Sequence, residues 1–243
     1  MDHLPLRTAL MLSRDLFRPN CCSSSRGIGM SENAPATSRV SISHHRWNHN
    51  IQYHYLVLRS VPVGCRRALD VGCGTGLVTR RLIPHSEIVI GIDVDRQALS
   101  LASAGRNVAS HPEESRVHYV EGDVLMAPFP PASFDFIAAV AALHHLPLRP
   151  ALMRFRDLLR PGGTLAVIGH YRSHTIIDHS YDAAIWPIAR LLRVARGLYR
   201  PPTRRQPPEE TLAAIRGACR EVLPGAVVKR LLLYRYFLIW RKS

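Results

Sequence analysis

The chain has 243 residues, 47% of them hydrophobic, with a formal charge of +14 and a pI near 10.4. That length suits one α/β domain with a sizeable core and leaves too little chain for two; no apolar run reaches a membrane span, the longest, Phe136 to Leu143, having eight residues. All but two of the 32 basic residues, Lys229 and Lys242, are arginines, and they are scattered without an aromatic-interleaved stripe. Such a pattern predicts solvated faces and argues against a nucleic-acid surface.

Residues 1–40 read as an extension outside the core. A short apolar stripe from Leu4 to Phe17 stops at Pro19, and a Ser/Asn/Pro/Thr-rich segment follows. Arg7, Arg14, Arg18 and Arg26 suit an organelle-targeting peptide but Asp2 and Asp15 do not, which leaves a disordered tail or an upstream extension of a chain starting at Met30. Cys21, Cys22, Cys65, Cys73 and Cys219 form neither a C-x-x-C pair nor an even framework, pointing to a reduced, cytoplasmic compartment. Residues 44–58 are rich in histidine and aromatics. No cysteine or carboxylate joins those histidines at ligand spacing, so no metal is expected, and a helix there would align Ile51, Tyr55 and Leu58 on one docking face.

An apolar strand from Arg67 runs through Asp70 into Gly72-Cys73-Gly74-Thr75-Gly76 and then a helix over Leu77 to Leu82, closed by Pro84. This is the layout of a nucleotide-type cofactor site at the carboxyl edge of a parallel sheet. A dinucleotide fingerprint wants glycine where Leu77 stands, and the Asp70 carboxylate would repel a pyrophosphate while favouring a cationic amino group. The pattern therefore prefers a positively charged ligand without phosphate, and S-adenosylmethionine fits. Cys73, inside the loop, reads as packing rather than as a nucleophile.

Glu87 to Asp93 is the second strand, its terminal carboxylate placed where a βαβ unit contacts a ribose. Asp95 reads as the N-cap of a helix over Arg96 to Ala104. Arg116 to Asp123 forms the third strand with Asp123 past its end, where an aspartate alone would read as a turn former. Phe134 to Val140 is the fourth strand and enters Ala141-Ala142-Leu143-His144-His145; Pro150 to Leu159 is a helix ended by Arg160-Pro161-Gly162-Gly163, and Thr164 to Gly169 is the fifth strand. Further on the pattern predicts helices over Ile185 to Tyr199 and Glu209 to Val222, a polar loop over Pro201 to Pro208, and two strands within Ala226 to Trp240 joined near Tyr234.

The glycine loop with Asp70, the Ser133-Phe134-Asp135 strand leading to Leu143-His144-His145, and the run from Leu158 to Gly169 together resemble the class I S-adenosylmethionine-dependent methyltransferases, type 11 branch. The resemblance covers roughly residues 47–170 and implies a Rossmann-like, doubly wound α/β fold with a mostly parallel seven-stranded sheet and an antiparallel C-terminal edge strand. It divides residues 41–243 into a pocket-capping helix (41–64, with Tyr53 and His54 near the site), a cofactor-binding core (65–170), acceptor-side helices (171–225) and terminal strands (226–243). It implies S-adenosyl-L-methionine held by Asp70, Gly72, Gly74, Gly76, Asp93, Asp123 and Val124, the last two against the adenine.

Methyl transfer to an O or N atom of a small-molecule acceptor follows, with His144 and His145 as candidate catalytic residues and His170 and His174 nearby. Nucleobase acceptors are disfavoured, because a polar-Pro-Pro-aromatic motif after the fourth strand and a Pro-Cys nucleophile are both missing from the sequence. A non-catalytic S-adenosylmethionine-binding protein of the same fold is the alternative, and a nicotinamide-dependent oxidoreductase, opposed by Leu77 and Asp70, is the weakest reading.

Overall fold

The computed structural model describes residues 51–106, 108–174, 190, 206–232 and 234–243. The chain separates into Met1–Arg39 and Val40–Ser243, and every described residue belongs to the second unit. The expected N-terminal extension, the histidines before residue 51, the helix over 185–199 apart from Arg190, and most of the loop over 201–208 lie outside the described residues.

Seven strands form one sheet in the order β3-β2-β1-β4-β5-β7-β6: β1 (Arg67–Val71), β2 (Ile88–Asp93), β3 (Val117–Glu121), β4 (Phe134–Val140), β5 (Leu159–His170), β6 (Val227–Leu231) and β7 (Arg235–Arg241). The first five run parallel, and β7 is antiparallel to both β5 and β6. The described helices are α1 (His54–Leu58), α2 (Leu77–Leu82), α3 (Arg96–Ala104), α4 (Leu148–Leu158) and α5 (Leu212–Val222).

Both faces of the sheet are covered, so its central strands read as unbroken apolar runs. In β4 and β5 alternate residues serve opposite layers. Phe134, Ile137, Leu165 and Val167 pack with Leu152 and Phe155 of α4 and Ile215 of α5. Phe136, Ala138, Ala166 and Ile168 pack with Val57 of α1 and Val78 and Leu82 of α2. The C-terminal hairpin turns at Tyr234, which adopts positive φ. Its last strand lies inside and its first outside, because Tyr236, Phe237, Leu238 and Trp240 are buried whereas β6 is half-exposed and carries Lys229 and Arg230, residues suited to an edge.

Three expected boundaries move, each for a local reason. The buried face of the first helical segment is Tyr53, His54 and Val57 rather than Ile51, Tyr55 and Leu58, since a 3-10 turn over Ile51–Tyr53 precedes a short α1 and shifts the phase. Arg160 to Gly163 is not a loop after α4 but a bulge inside β5: Leu159 already pairs with Phe134 and Thr164 with Phe136, and Gly162 at φ 78° lets the strand absorb the extra residues. Helix α5 starts after Thr211, whose hydroxyl accepts from Ala214 N at 3.1 Å, leaving Glu209 and Glu210 outside it. The cap at Asp95 is as expected, its side chain accepting from Gln97 N and Ala98 N.

At the amino edge of the sheet Asp135 ties three elements together. Its Oδ2 accepts from Arg66 N at 3.0 Å and Arg67 N at 2.8 Å, and Arg160 Nη1 donates to both of its oxygens at 2.9 and 3.1 Å. Burial alone would raise this carboxyl, but the bonds from Arg67 N, Arg160 and Arg66 N hold it below the ordinary range. Asp135→Ala leaves two amides and a guanidinium without their acceptor, and urea unfolding should register a loss of about 2 kcal/mol. Because the folded pKa is depressed, that stabilisation is complete above the unfolded value of 3.8 and disappears as pH falls through the folded one. A wild-type-like midpoint in the variant at pH 7 would exclude this role.

Candidate active site

A cavity of about 780 Å³ opens at the carboxyl edge, walled by the segments that follow β1, β2, β3 and β4 together with Ile51 and His54. Its floor is the glycine loop. Gly72 N and Cys73 N both donate to Ile92 O, at 2.8 and 3.1 Å, and Gly76 N donates to Cys73 O at 2.9 Å. Gly72, Gly74 and Gly76 all have positive φ. Two of them are also fixed by packing: a Cβ on Gly72 would collide with Ala142, and one on Gly76 with the Tyr119 hydroxyl. Cys73 packs its sulfur against Gly91, and burial pushes its thiol far up, so it is no nucleophile.

The carboxylates expected at the site line this cavity, each with a different duty. Asp70, 1% exposed at the end of β1, accepts from the Thr79 hydroxyl at 2.6 Å, and α2 presents that hydroxyl. Burial pushes Asp70 up to about 7, the Thr79 hydrogen bonds oppose this, and the nearby Asp93 charge adds to it. Asp93 fastens the loop, Oδ2 accepting from Gly74 N at 2.7 Å and Oδ1 from Asp95 N at 2.9 Å. Each oxygen keeps a further lone pair. Asp123 does form a turn, Oδ1 accepting from Leu125 N at 2.9 Å, and it lines the cavity beside the buried Val124.

Arginines hold the walls from behind, a role that dispersed basic residues did not announce in the sequence. Arg80 donates to Thr75 O at 3.0 Å and reaches the Tyr119 hydroxyl at 3.4 Å. Arg154 of α4 donates to Val124 O, Ala127 O and Phe129 O in the loop after β3. The solvated-face reading therefore fails for these two, both partly buried, because loop carbonyls without a ladder partner need donors. Arg81 Nη1 lies 3.1 Å from His54 Nδ1, and burial followed by the Arg81 charge lowers His54 to about 3. His54 is thus neutral with its proton on Nε2, since an arginine can only donate to Nδ1. Tyr53 turns away, its hydroxyl donating to Leu232 O at 3.3 Å.

A second cavity of about 190 Å³ adjoins the first, sharing His145, Leu146 and Gln206 with it. The structure brings His144, His145 and His170 together there, ring centroids 4.1 Å apart for the first pair and 4.9 Å for His144 and His170. His144 does not line the larger cavity, whereas His145 lines both. Burial, then the charges of His145 and Arg235, lowers His144 to about 4, and its Nδ1 has no hydrogen-bond partner among the described residues. His174 lines neither cavity. Among the described residues no cluster of His, Cys, Asp or Glu has metal-binding geometry, and no helix is long and apolar enough to cross a membrane.

A seven-stranded sheet with one internal antiparallel strand, a glycine loop at its carboxyl edge and a carboxylate-walled cleft of this volume define a class I S-adenosylmethionine-dependent methyltransferase. The sequence comparisons agree. The methyltransferase domain model of type 11 matches residues 69–167. The uncharacterized methyltransferase Rv0089 of Mycobacterium tuberculosis is 34% identical over 197 residues, covering 80% of this chain and 96% of that protein. The 27-O-demethylrifamycin SV methyltransferase of Amycolatopsis mediterranei is 34% identical over 103 residues, 42% of this chain and 37% of that enzyme. Among solved structures, a SAM-dependent methyltransferase from Aquifex aeolicus superposes with a TM-score of 0.53 at 18% identity, covering 78% of this chain and 89% of that one. The chain belongs to the methyltransferase family with the type 11 domain, and S-adenosylmethionine is its methyl donor. The cleft fits that donor: its volume lies in the range of cofactor sites, and the four carboxylates that line it, Asp70, Asp93, Asp95 and Asp123, outnumber Arg96 and favour a cation without phosphate.

Were Asp70, pushed up to about 7 by burial, to hold the donor's ammonium, donor binding would depend on pH. A carboxyl facing the donor's ammonium must be ionised, so affinity should rise between pH 5.5 and 8, and binding below pH 7 should release a proton. In the free protein the sign is opposite to that of Asp135. With its folded pKa above the unfolded 3.8, Asp70 stabilises least once pH exceeds about 7. Calorimetry of S-adenosylhomocysteine binding in buffers of different ionisation enthalpy measures the proton directly, and pH-independent affinity with no proton release would remove Asp70 from the ammonium site. Asp70→Ala and Gly74→Val should each abolish binding with the fold largely retained, checked by the same titration and by circular dichroism.

Proposed function

We propose that the protein transfers the methyl group of S-adenosylmethionine to an oxygen or nitrogen of a small-molecule acceptor seated in the smaller cavity. The observation that carries this reading is the junction of the two cavities at His145, Leu146 and Gln206, which lets a second ligand meet the cofactor cleft at the carboxyl edge. When bound, S-adenosylmethionine supplies a sulfonium-activated methyl and leaves as a neutral thioether. The chain's own residues then have to orient and to exclude water.

Asp70 would hold the donor's ammonium, Asp93 the ribose hydroxyls through the lone pairs left by Gly74 N and Asp95 N, and Asp123 with Val124 the adenine side. Gly72, Gly74 and Gly76 let the backbone approach. The two histidines separate into different roles. A His144 lowered to about 4 is a poor proton acceptor at neutral pH, so its neutral ring, which lines the smaller cavity, is suited to shaping and orienting rather than to taking a proton. His145 borders both cavities, with Nδ1 3.4 Å from Gln206 Oε1, and is the residue placed to receive a proton from the acceptor. The name of the Amycolatopsis relative, 27-O-demethylrifamycin SV methyltransferase, supports an oxygen acceptor, over the 37% of that enzyme that matches.

An acceptor panel of phenols, carboxylic acids and amines, read by formation of S-adenosylhomocysteine, tests the activity. With a turned-over acceptor, His145→Ala should lower kcat about a hundredfold and leave the KM for S-adenosylmethionine nearly unchanged. An unaltered kcat would take the proton away from His145, and methylation of a macromolecule alone would remove the small-molecule acceptor.

A further inference from the structure

The loop between β3 and β4 forms one wall of the larger cavity through Gly122, Asp123 and Val124; Val124 is buried and Leu125, Ala127 and Phe129 pack against the core, while Met126 is 82% exposed, so apolar packing seats the loop but leaves its carbonyls to find donors. Pro128, Pro130 and Pro131 remove three backbone donors from the same loop, so its own amides satisfy only some of its carbonyls. Asp123 organises the first turn, its carbonyl accepting from Met126 N and Ala127 N and its side chain from Leu125 N, and Phe129 N donates to Ala127 O at 2.8 Å. The donors to Val124 O and Phe129 O come from outside. Arg154, partly buried on α4, donates through Nε to Val124 O at 3.1 Å and through Nη2 to Ala127 O at 2.5 Å and Phe129 O at 3.2 Å. No carboxylate lies within ion-pair distance of it among the described residues. Its guanidinium is committed to those three carbonyls, and only a rigid fork with several donors can serve all of them.

We propose that Arg154 is a positioning residue for the adenosine half of the methyl donor, acting through Val124 and the loop it anchors rather than by touching the ligand. This rests on reading the larger cavity as the cofactor cleft with Asp123 and Val124 on its adenine side. The geometry makes a specific demand: loosening the loop weakens recognition of the nucleoside and leaves the amino-acid end, held around Asp70 on β1, unaffected.

The test is calorimetric titration of the full chain, wild type and variants, with S-adenosylhomocysteine and with 5′-methylthioadenosine, which lacks the amino-acid carboxylate and ammonium. Each titration is run well below that variant's melting temperature. Arg154→Met should weaken both ligands by the same factor, about tenfold or more. Arg154→Lys should recover only part of this, because one ammonium cannot bridge three carbonyls. Asp70→Asn should weaken S-adenosylhomocysteine alone. Should the methionine variant not fold, the lysine variant alone decides. A lowered melting temperature with unchanged affinities would reduce Arg154 to a structural residue, and a loss confined to S-adenosylhomocysteine would place its effect at the wrong end; either overturns the proposal. Failure of the wild type to bind S-adenosylhomocysteine would instead overturn the cofactor-cleft reading beneath it.

Discussion

Where a parallel strand ends at the carboxyl edge, the loop that follows has no neighbouring strand to pair with, and its amides and carbonyls must find other partners. This protein meets that requirement with side chains of opposite sign on opposite sides of the cleft wall. Carboxylates on the cavity side accept from loop amides, Asp93 from Gly74 and Asp95, and Asp123 from Leu125. Guanidinium groups donate to loop carbonyls, Arg80 to Thr75 and Arg154 to three positions after β3.

The same division explains how a chain with a charge of +14 can present a site for a cation. Asp70, Asp93, Asp95 and Asp123 line the cavity with Arg96, whereas Arg80 and Arg154 do not line it. Asp70 is the most demanding element. Taking its carboxyl out of water raises its pKa to about 7, with the Thr79 hydroxyl offsetting part of the penalty. A buried acid poised near neutrality gains most from a cationic partner.

His144 and His145 are adjacent in sequence and share a 3-10 turn, yet their surroundings differ. Burial holds His144 neutral within the smaller cavity, while His145 stays exposed where the two cavities meet.

The sequence by itself determined the parallel core and the class of cofactor. Unbroken apolar runs at Ile88–Asp93 and Phe134–Val140 mark strands buried on both faces, and the glycine spacing with Asp70 excludes a dinucleotide through Leu77. Those signals are local, set by side-chain period, backbone freedom and charge within a few residues. Tertiary structure decided everything that depends on what lies opposite. Gly76 is required by Tyr119 and Gly72 by Ala142, contacts between segments far apart in the chain. The bulge at Arg160 to Gly163 is set by register against β4, and the interior place of β7 by the burial that its apolar residues find beside β5. The inward duties of Arg80, Arg154 and Arg160 could not be separated in sequence from those of solvated arginines, because whether a guanidinium meets water or an unpaired carbonyl is fixed only when distant loops come to rest against it.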